Sequence, residues 1–250
     1  MTPLREWPRD PGARTAYADL IFRSVAGRYD LLTRLLSFGQ DRRWKKRALE
    51  GLPLGGNARR VLDLACGTGA LPILLRQGGF SAPIVGLDRS VPMLAVAARR
   101  IHAAGAGRVE LVAGDLNSLP FADGSADAVT MGYGLRYLTS IPGSLAHILR
   151  ILRDGGVFVS LDFGVPSRRW YRRLAFAYLL VFGTLWGVLL HGRPGTYWHI
   201  VESLRAYPGQ LRVADWMREA GFCDVRVQEQ LGGIAAILVG RKPVARDRPG

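Results

Sequence analysis

The fold is decided by residues 59–71, which read RRVLDLACGTGAL, and by residues 84–88, which read IVGLD. Each stretch has an apolar run typical of a buried strand, and the first continues through a loop of small residues into an apolar helix. Gly67 and Gly69 permit backbone angles that other residues avoid, and they let a ligand lie against the main chain. Asp88 ends the second strand, where a carboxylate can accept both hydroxyl hydrogens of a ribose. The two stretches together predict a nucleoside site.

The loop favours a nucleoside without a pyrophosphate. A dinucleotide loop has a third small residue near the helix N-terminus, where this chain has Pro72. No Gly-Lys-Ser or Gly-Lys-Thr follows the loop, so a P-loop is excluded. S-adenosylmethionine is the nucleoside that remains.

We expect the cofactor to contact residues at the ends of four strands. The carboxyl ends of parallel strands meet at one edge of a sheet, where ligands gather. Asp63 either orders the glycine loop or meets the methionine amino group. Asp115 either accepts the adenine amine, with the Leu116 N–H on a ring nitrogen, or only closes an Asx turn. The predicted cofactor-binding residues are Asp63, Gly67, Thr68, Gly69, Asp88, Asp115, Leu116 and Gly132.

Composition indicates a globular chain from a reducing compartment. The chain has 250 residues, of which 48% are hydrophobic, and two cysteines, Cys66 and Cys223, without metal-ligand spacing. No metal site is predicted. The first residues contain no apolar stretch typical of a secretory signal, which favours a cytoplasmic location. The net charge of +14 is dispersed over short arginine clusters, so we predict no nucleic-acid partner and favour contact with an anionic membrane surface, on the inner face of the cell membrane.

Alternating strand and helix signals predict an α/β fold, with a mostly parallel sheet that is wound on both sides and an antiparallel C-terminal strand. Residues 1–16 are expected to form a flexible arm and residues 244–250 a tail. Residues 17–243 form the predicted single domain, in which 17–50 are a helical segment interrupted near residues 37–39. A turn is predicted at Arg153–Gly156, and a hairpin is predicted to turn at Gly232–Gly233.

An apolar insertion at residues 165–208 breaks the alternation. Within it, residues 174–190 read LAFAYLLVFGTLWGVLL without a charge. A membrane span needs roughly 20 apolar residues, and a span here would separate the last strands from their sheet. We therefore predict an apolar helix that covers a hydrophobic pocket and touches the bilayer surface.

Several longer motifs resemble one known family, the ubiquinone/menaquinone biosynthesis C-methyltransferases, which are class I S-adenosylmethionine enzymes with a Rossmann-like fold. Residues 25–49 resemble the N-terminal signature of that family, with Tyr29, Asp30, Ser37 and Trp44 at its positions. The other similar segments are DLACGTGAL (63–71), GDLNSLPFADGSAD (114–127), GYGLRYLTS (132–140), LRILRDGGVFVSLDFGVP (149–166), TYWHIVESLRAYPGQ (196–210) and LGGIAAILVGRKP (231–243). The chain departs from the family pattern at Asp41, Tyr137 and residues 197–199, all outside the cofactor motifs.

The resemblance implies methylation of a ring carbon on a polyprenyl hydroquinol, either demethylmenaquinol or the equivalent ubiquinol precursor. Losing a hydroxyl proton activates the ring carbon, so the site needs proton transfer and stabilisation of a phenolate. His199 is the candidate base, Arg136 either stabilises the phenolate or forms a salt bridge to Asp115 or Asp162, and Tyr197 or Tyr133 orients the ring.

Other functions stay open on the sequence alone. The acceptor could be another apolar phenol, or the chain could be a membrane-surface binding protein that retains the nucleoside fold without turnover. The hypothesis that the chain is an RNA methyltransferase is supported by its charge alone. The sequence leaves the tail length of the quinol and the oligomeric state undecided.

Overall fold

The computed structural model describes residues 8, 10–52 and 59–244, and its strands form one seven-stranded sheet. The strands are β1 (Val61–Leu64), β2 (Ile84–Asp88), β3 (Val109–Ala113), β4 (Ala126–Gly132), β5 (Leu152–Phe163), β6 (Cys223–Gln230) and β7 (Ala235–Arg241). The helices are α1 (Pro11–Val25), α2 (Tyr29–Leu36), α3 (Asp41–Glu50), α4 (Ala70–Gln77), α5 (Val91–Ala103), α6 (Ile141–Ile151), α7 (Arg169–His191), α8 (Trp198–Ala206) and α9 (Gln210–Glu219).

The predicted topology is confirmed. The strand order is β3-β2-β1-β4-β5-β7-β6, and β7 runs antiparallel to both of its neighbours. Every residue of β1 is buried, because β1 pairs with β2 on one side and with β4 on the other. The direction of winding reverses between β1 and β4, and a crevice opens there at the carboxyl ends of the strands.

The N-terminal helices begin earlier than the sequence pattern predicts. Helix α1 starts at Pro11, and the Asp10 side chain accepts a hydrogen bond from the Ala13 N–H at 2.7 Å. The predicted flexible arm is therefore wrong for residues 11–16, where a capping carboxylate starts the helix before the apolar spacing becomes visible. Residues 1–7 and 9 lie outside the described residues. The predicted interruption at residues 37–39 is confirmed between α2 and α3.

The predicted turn at residues 153–156 is wrong, because β5 continues through it. The pairing of β4 with β5 shifts register there, from Ala126 opposite Leu152 to Ala128 opposite Val157. Gly155 has a φ of 74°, and its N–H donates to the Lys242 carbonyl at 3.0 Å. Paired glycines thus make an irregularity within a strand. The predicted hairpin between β6 and β7 is confirmed.

Helix α7 contains the predicted apolar segment and is long and apolar enough, by length and composition alone, to cross a membrane. Its buried stripe consists of Ala175, Leu179, Gly183 and Gly187. A Cβ at Gly187 would lie 2.5 Å from the Arg193 carbonyl oxygen, so the helix packs closely on the segment that follows it. Only 22% of its most apolar window is buried, and the other residues of the helix are half-buried or exposed.

Candidate functional site

A cavity of about 1020 Å³ opens at the carboxyl ends of β1, β2 and β4. Its lining includes the glycine loop and, from α1, Ala18 and Phe22. We call it the strand-end cavity. The predicted cofactor residues Asp63, Gly67, Thr68, Asp88, Asp115, Leu116 and Gly132 all line it. Gly69 does not line it; the residue lies behind the loop, with a φ of 76° and only 3.2 Å from an added Cβ to the Ala97 Cβ.

Asp88 links the glycine loop to the second strand. Its Oδ2 accepts a hydrogen bond from the Gly67 N–H at 2.7 Å, and its Oδ1 accepts one from the Ser90 N–H at 2.8 Å. Burial raises the pKa of the carboxyl group. Each carboxylate oxygen has a further lone pair for an incoming hydroxyl. The geometry therefore fits a ribose, as the sequence predicts.

Thr68 connects the glycine loop to Asp30 of α2, a contact that was not predicted from the sequence. Its hydroxyl donates to Asp30 Oδ1 at 3.0 Å, while the Arg100 guanidinium pairs with Asp30 Oδ2 at 2.8 Å. Arg100 also donates to the Thr68 carbonyl at 2.8 Å. The Thr68 hydroxyl hydrogen is thus used within the protein, while its oxygen can still accept a hydrogen bond. Asp30 of the N-terminal signature therefore contacts the glycine loop from α2.

Asp63 is buried at the end of β1 and accepts a hydrogen bond from the Thr130 hydroxyl at 2.6 Å. Burial, with a smaller contribution from the nearby Asp88, raises the pKa of its carboxyl group to about 7, and this value includes the opposing effects of Thr130 and Lys45. Ionising a buried carboxyl group is unfavourable when it has no partner, but a nearby cation favours the ionised form. The position therefore suits an ammonium group.

We expect the affinity for S-adenosylmethionine to fall in mild acid. An α-ammonium prefers ionised Asp63, whose pKa is about 7, so each pH unit below that value should weaken binding by up to about tenfold. Calorimetric titration between about pH 7.5 and about pH 5.5 measures this effect. The variant Asp63→Asn should show a flat profile, and so should binding of 5′-methylthioadenosine, which lacks the amino group. A flat profile for the unaltered protein would contradict the assignment.

The adenine end of the cavity is more open. Asp115 Oδ1 accepts hydrogen bonds from the backbone N–H and the side-chain amide of Asn117, both at 2.9 Å. The Asx turn, which was the alternative role for Asp115, is thus present. The second carboxylate oxygen of Asp115 lies 4.0 Å from the Arg89 guanidinium. The adenine contact of Asp115 and Leu116 stays a prediction. An added Cβ at Gly132 would lie 3.2 Å from Leu71 Cδ1, so a larger residue there would require the Leu71 side chain to shift.

A smaller cavity of about 350 Å³, here called the inner cavity, adjoins the strand-end cavity. Phe22, Tyr29 and Tyr137 line both cavities and so form the wall between them. The three predicted catalytic residues, Arg136, Tyr197 and His199, line the inner cavity. The structure therefore brings them together, but behind an aromatic wall rather than beside the glycine loop.

His199 lies in an apolar, positively charged environment. It is 5% exposed, its Nδ1 lies 3.0 Å from the Thr196 carbonyl oxygen, and the rings of Phe22 and Tyr137 pack near it. Burial, followed by the charge of Arg136, lowers its pKa to about 3. A proton on this imidazole is therefore costly at physiological pH, which weighs against a general base.

Arg136 is buried with Asp162, and the two side chains form a salt bridge with only 4% of each exposed. Of the two salt-bridge partners that the sequence suggested for Arg136, Asp115 and Asp162, the structure shows Asp162. The guanidinium also donates to the Tyr137 hydroxyl at 3.0 Å and to Ser203 Oγ at 3.2 Å. Burial raises the pKa of both Tyr29 and Tyr133, and the charge of Arg136 opposes that rise. Arg136 thus favours negative charge in this region.

Tyr197 is 1% exposed, and its hydroxyl lies 2.7 Å from His191 Nε2. Burial raises its pKa to about 12, so the hydroxyl keeps its proton. It can shape the inner cavity with its ring, but its hydroxyl already has a partner.

A buried cluster of Asp41, Lys45 and Tyr133 was not predicted. Lys45 lies in a run of basic residues at positions 42–47, yet its side chain is only 6% exposed and lines the strand-end cavity. Lys45 Nζ and the Tyr133 hydroxyl each donate to the Asp41 carboxylate at 2.8 Å. The four-residue spacing of Asp41 and Lys45 on one helix face was a signal that could have revealed the pair.

The donor set fits S-adenosylmethionine. Asp88 and backbone amides suit a ribose, Asp63 suits an ammonium, and Met93 and Leu138 supply apolar surface for a base. No group of three or more potential metal ligands occurs in residues 8, 10–52 and 59–244.

Known proteins with similar sequences and folds indicate one methyltransferase family. Residues 12–242 match the ubiE/COQ5 methyltransferase family. The demethylmenaquinone methyltransferase of Thermus thermophilus is 39% identical over 223 residues, which are 89% of this chain and 100% of that protein. The ubiquinone/menaquinone biosynthesis C-methyltransferase UbiE of Geobacter sulfurreducens is 35% identical over 225 residues, 89% of this chain and 87% of that protein.

A solved S-adenosylmethionine-dependent methyltransferase from Aquifex aeolicus superposes with a TM-score of 0.61 at 18% identity, covering 88% of this chain and 97% of its own. At that identity the similarity concerns the fold alone. The sequence match over residues 12–242, together with relatives that are 35% and 39% identical over 89% of the chain, shows that this chain belongs to the ubiE/COQ5 methyltransferase family.

Proposed function

We propose that this protein transfers a methyl group from S-adenosylmethionine to a ring carbon of a polyprenyl hydroquinol, and that its acceptor is demethylmenaquinol. One structural observation carries the proposal: the cofactor cavity and the inner cavity share an aromatic wall of Phe22, Tyr29 and Tyr137. A flat aromatic acceptor at that wall is held by stacking and edge contacts. The relative in Thermus thermophilus, named for the naphthoquinone substrate, favours a naphthoquinol over a benzoquinol.

S-adenosylmethionine supplies an electrophilic methyl group when it is bound. The chain must then hold the acceptor ring within about 3–3.5 Å of that group and favour its anionic form. Arg136 is suited to the second task, because a preorganised buried cation stabilises a phenolate more strongly than water does.

His199 is better suited to accept a hydrogen bond from the hydroxyl of the quinol than to take up its proton as a general base. Its lowered pKa of about 3 makes the imidazole neutral, so one ring nitrogen keeps a lone pair. The hydroxyl proton then leaves to solvent as the nearby cation stabilises the oxygen. The predicted role of His199 as a base stays a prediction.

The acceptor is tested with labelled S-adenosylmethionine and three reduced substrates: demethylmenaquinol, the demethylated ubiquinol precursor and a phenol without a prenyl tail. We expect label in the naphthoquinol, with at least about tenfold higher kcat/KM than for the other two. Faster methylation of the tail-less phenol would favour the alternative small-molecule methyltransferase. Cofactor binding without transfer to any of the three would favour a non-catalytic binding protein.

We further propose that the protein binds peripherally to the cytoplasmic face of the cell membrane, where a polyprenyl quinol is found. The support comes from α7, whose outer face exposes Leu174, Val181, Leu185 and Leu189. Four arginines at its N-terminal end, at positions 168, 169, 172 and 173, match the charge of anionic lipids.

The membrane proposal predicts loss of vesicle binding when the outer face of α7 becomes charged. The double variant Val181→Glu/Leu189→Glu should reduce sedimentation with anionic vesicles by about tenfold or more, because two side chains that would enter the lipid become charged. The variant Leu211→Glu is a matched control, since Leu211 is 59% exposed and Leu189 is 62% exposed, but Leu211 lies on α9. Equal binding of the double variant and the control would contradict the proposal.

A further inference from the structure

Lys45 is a buried cation at the wall of the cofactor cavity. Its side chain is only 6% exposed, although lysine is rarely buried without a partner. It lines the same cavity as Asp63, and its charge opposes the rise in the pKa of that carboxyl group. Opposite charges therefore face the cavity side by side, beyond the glycine loop.

The hydrogen bonding of Lys45 leaves room for a ligand. In the described structure its Nζ donates to Asp41 Oδ2 at 2.8 Å, and an ammonium group has three donors. The Tyr133 ring lies 5.6 Å from Nζ, so the cation also rests on an aromatic face. A buried ammonium with unused donors at a cavity wall is suited to an anionic ligand group.

The position of the ammonium is fixed from two sides. The Asp41 N–H donates to Ser37 Oγ at 3.0 Å, which holds the start of α3. The Tyr133 hydroxyl donates to Asp41 Oδ1 at 2.8 Å, and Tyr133 has a left-handed backbone with a φ of 60°. Holding a tyrosine there costs free energy that the surrounding structure must repay. Asp41 and Tyr133 are therefore positioning residues for Lys45.

We propose that Lys45 binds the α-carboxylate of S-adenosylmethionine, while Asp63 binds its α-ammonium. The methionyl part of the cofactor carries these two opposite charges on one carbon, and the two side chains supply the complementary charges on one cavity wall. Asp88 holds the ribose at the other end of the same molecule. This inference rests on the cofactor part of the proposed function and not on the identity of the acceptor.

The test compares three ligands by calorimetry, without any quinol. S-adenosylmethionine and decarboxylated S-adenosylmethionine share the sulfonium and the amino group and differ in the α-carboxylate. 5′-Methylthioadenosine lacks the whole amino-acid part and reports whether the nucleoside site is intact. The unaltered protein should bind S-adenosylmethionine about 10- to 100-fold more tightly than the decarboxylated form, as expected for a hydrogen-bonded ion pair.

The informative variant is Asp41→Asn/Lys45→Met, which removes both charges and so avoids leaving an unpaired buried carboxylate. It should bind the two sulfonium ligands within about threefold of each other and bind 5′-methylthioadenosine as the unaltered protein does.

Three outcomes would overturn the inference. One is a double variant that still prefers S-adenosylmethionine by the full factor, which would place the carboxylate elsewhere. Another is an equal loss of affinity for all three ligands, which would give Lys45 a structural role. The third is an unaltered protein without any preference. A failure to methylate quinols would leave these binding results unchanged, so the two proposals can fail separately.

Discussion

The variant Asp88→Ala is expected to bind S-adenosylmethionine at least about 10²-fold more weakly than the unaltered protein, since it loses two hydrogen bonds between a carboxylate and the ribose. A second effect adds to the first. The same carboxylate accepts from the Gly67 N–H, so its removal also frees the loop that cradles the cofactor. Calorimetry or equilibrium dialysis measures the change.

A suitable control is Asp123→Ala. Asp123 is another loop carboxylate with a side chain 78% exposed, and its partner is Arg150 at the surface. Cofactor affinity should not change in this variant. If Asp88→Ala also left the affinity unchanged, the ribose would have to be bound elsewhere, and the glycine loop would lose its assigned role.

The variant Arg136→Met is expected to lower the free energy of unfolding by about 3–5 kcal/mol, because it leaves the Asp162 carboxylate buried without its cation. Asp162 cannot turn to solvent, since only 4% of its side chain is exposed. It also accepts from the Phe163 N–H at 2.7 Å, which ties it to β5. Denaturant unfolding measures the loss.

Two further variants separate charge from packing at this pair. The double variant Arg136→Met/Asp162→Asn should recover part of the stability, because the unpaired charge is gone while an amide oxygen still accepts from Phe163. Arg218→Met removes a surface pair with Asp215, in which both side chains are more than half exposed, and should cost at most about 1 kcal/mol. A loss of that small size in Arg136→Met would contradict the buried pairing.

Removing Arg136 should also change the protonation of its neighbour. The charge of Arg136 lowers the pKa of His199, so the pKa should rise in the variant, although burial continues to hold it below the ordinary value.

The cofactor half of the site could be predicted because its signals are local in sequence. Two glycines after a strand and a carboxylate at the end of the next strand determine the loop and the turn within about 30 residues, the span of one βαβ unit, and they predict the ribose acceptor. The same reasoning placed the antiparallel β7, because a hairpin signal follows the fifth strand. Both features depend on short-range backbone geometry.

The rest depends on contacts that connect distant parts of the chain. Asp30 bonds to Thr68 across 38 positions, and Asp41 bonds to Tyr133 across 92 positions. In a helix as charged as α3, the sequence pattern does not show which cation is buried. The aromatic wall likewise combines α1, α2 and the segment after β4, which no single motif contains.

The chemical outcome is tested most directly by locating the transferred methyl group. The protein is incubated with ¹³C-methyl-labelled S-adenosylmethionine and demethylmenaquinol under reducing conditions, and the product is examined by NMR spectroscopy and mass spectrometry. We predict one label, bonded to a ring carbon next to a hydroxyl-bearing carbon. A label bonded to oxygen, or label retained on the sulfonium throughout, would contradict carbon methylation of a hydroquinol by this site.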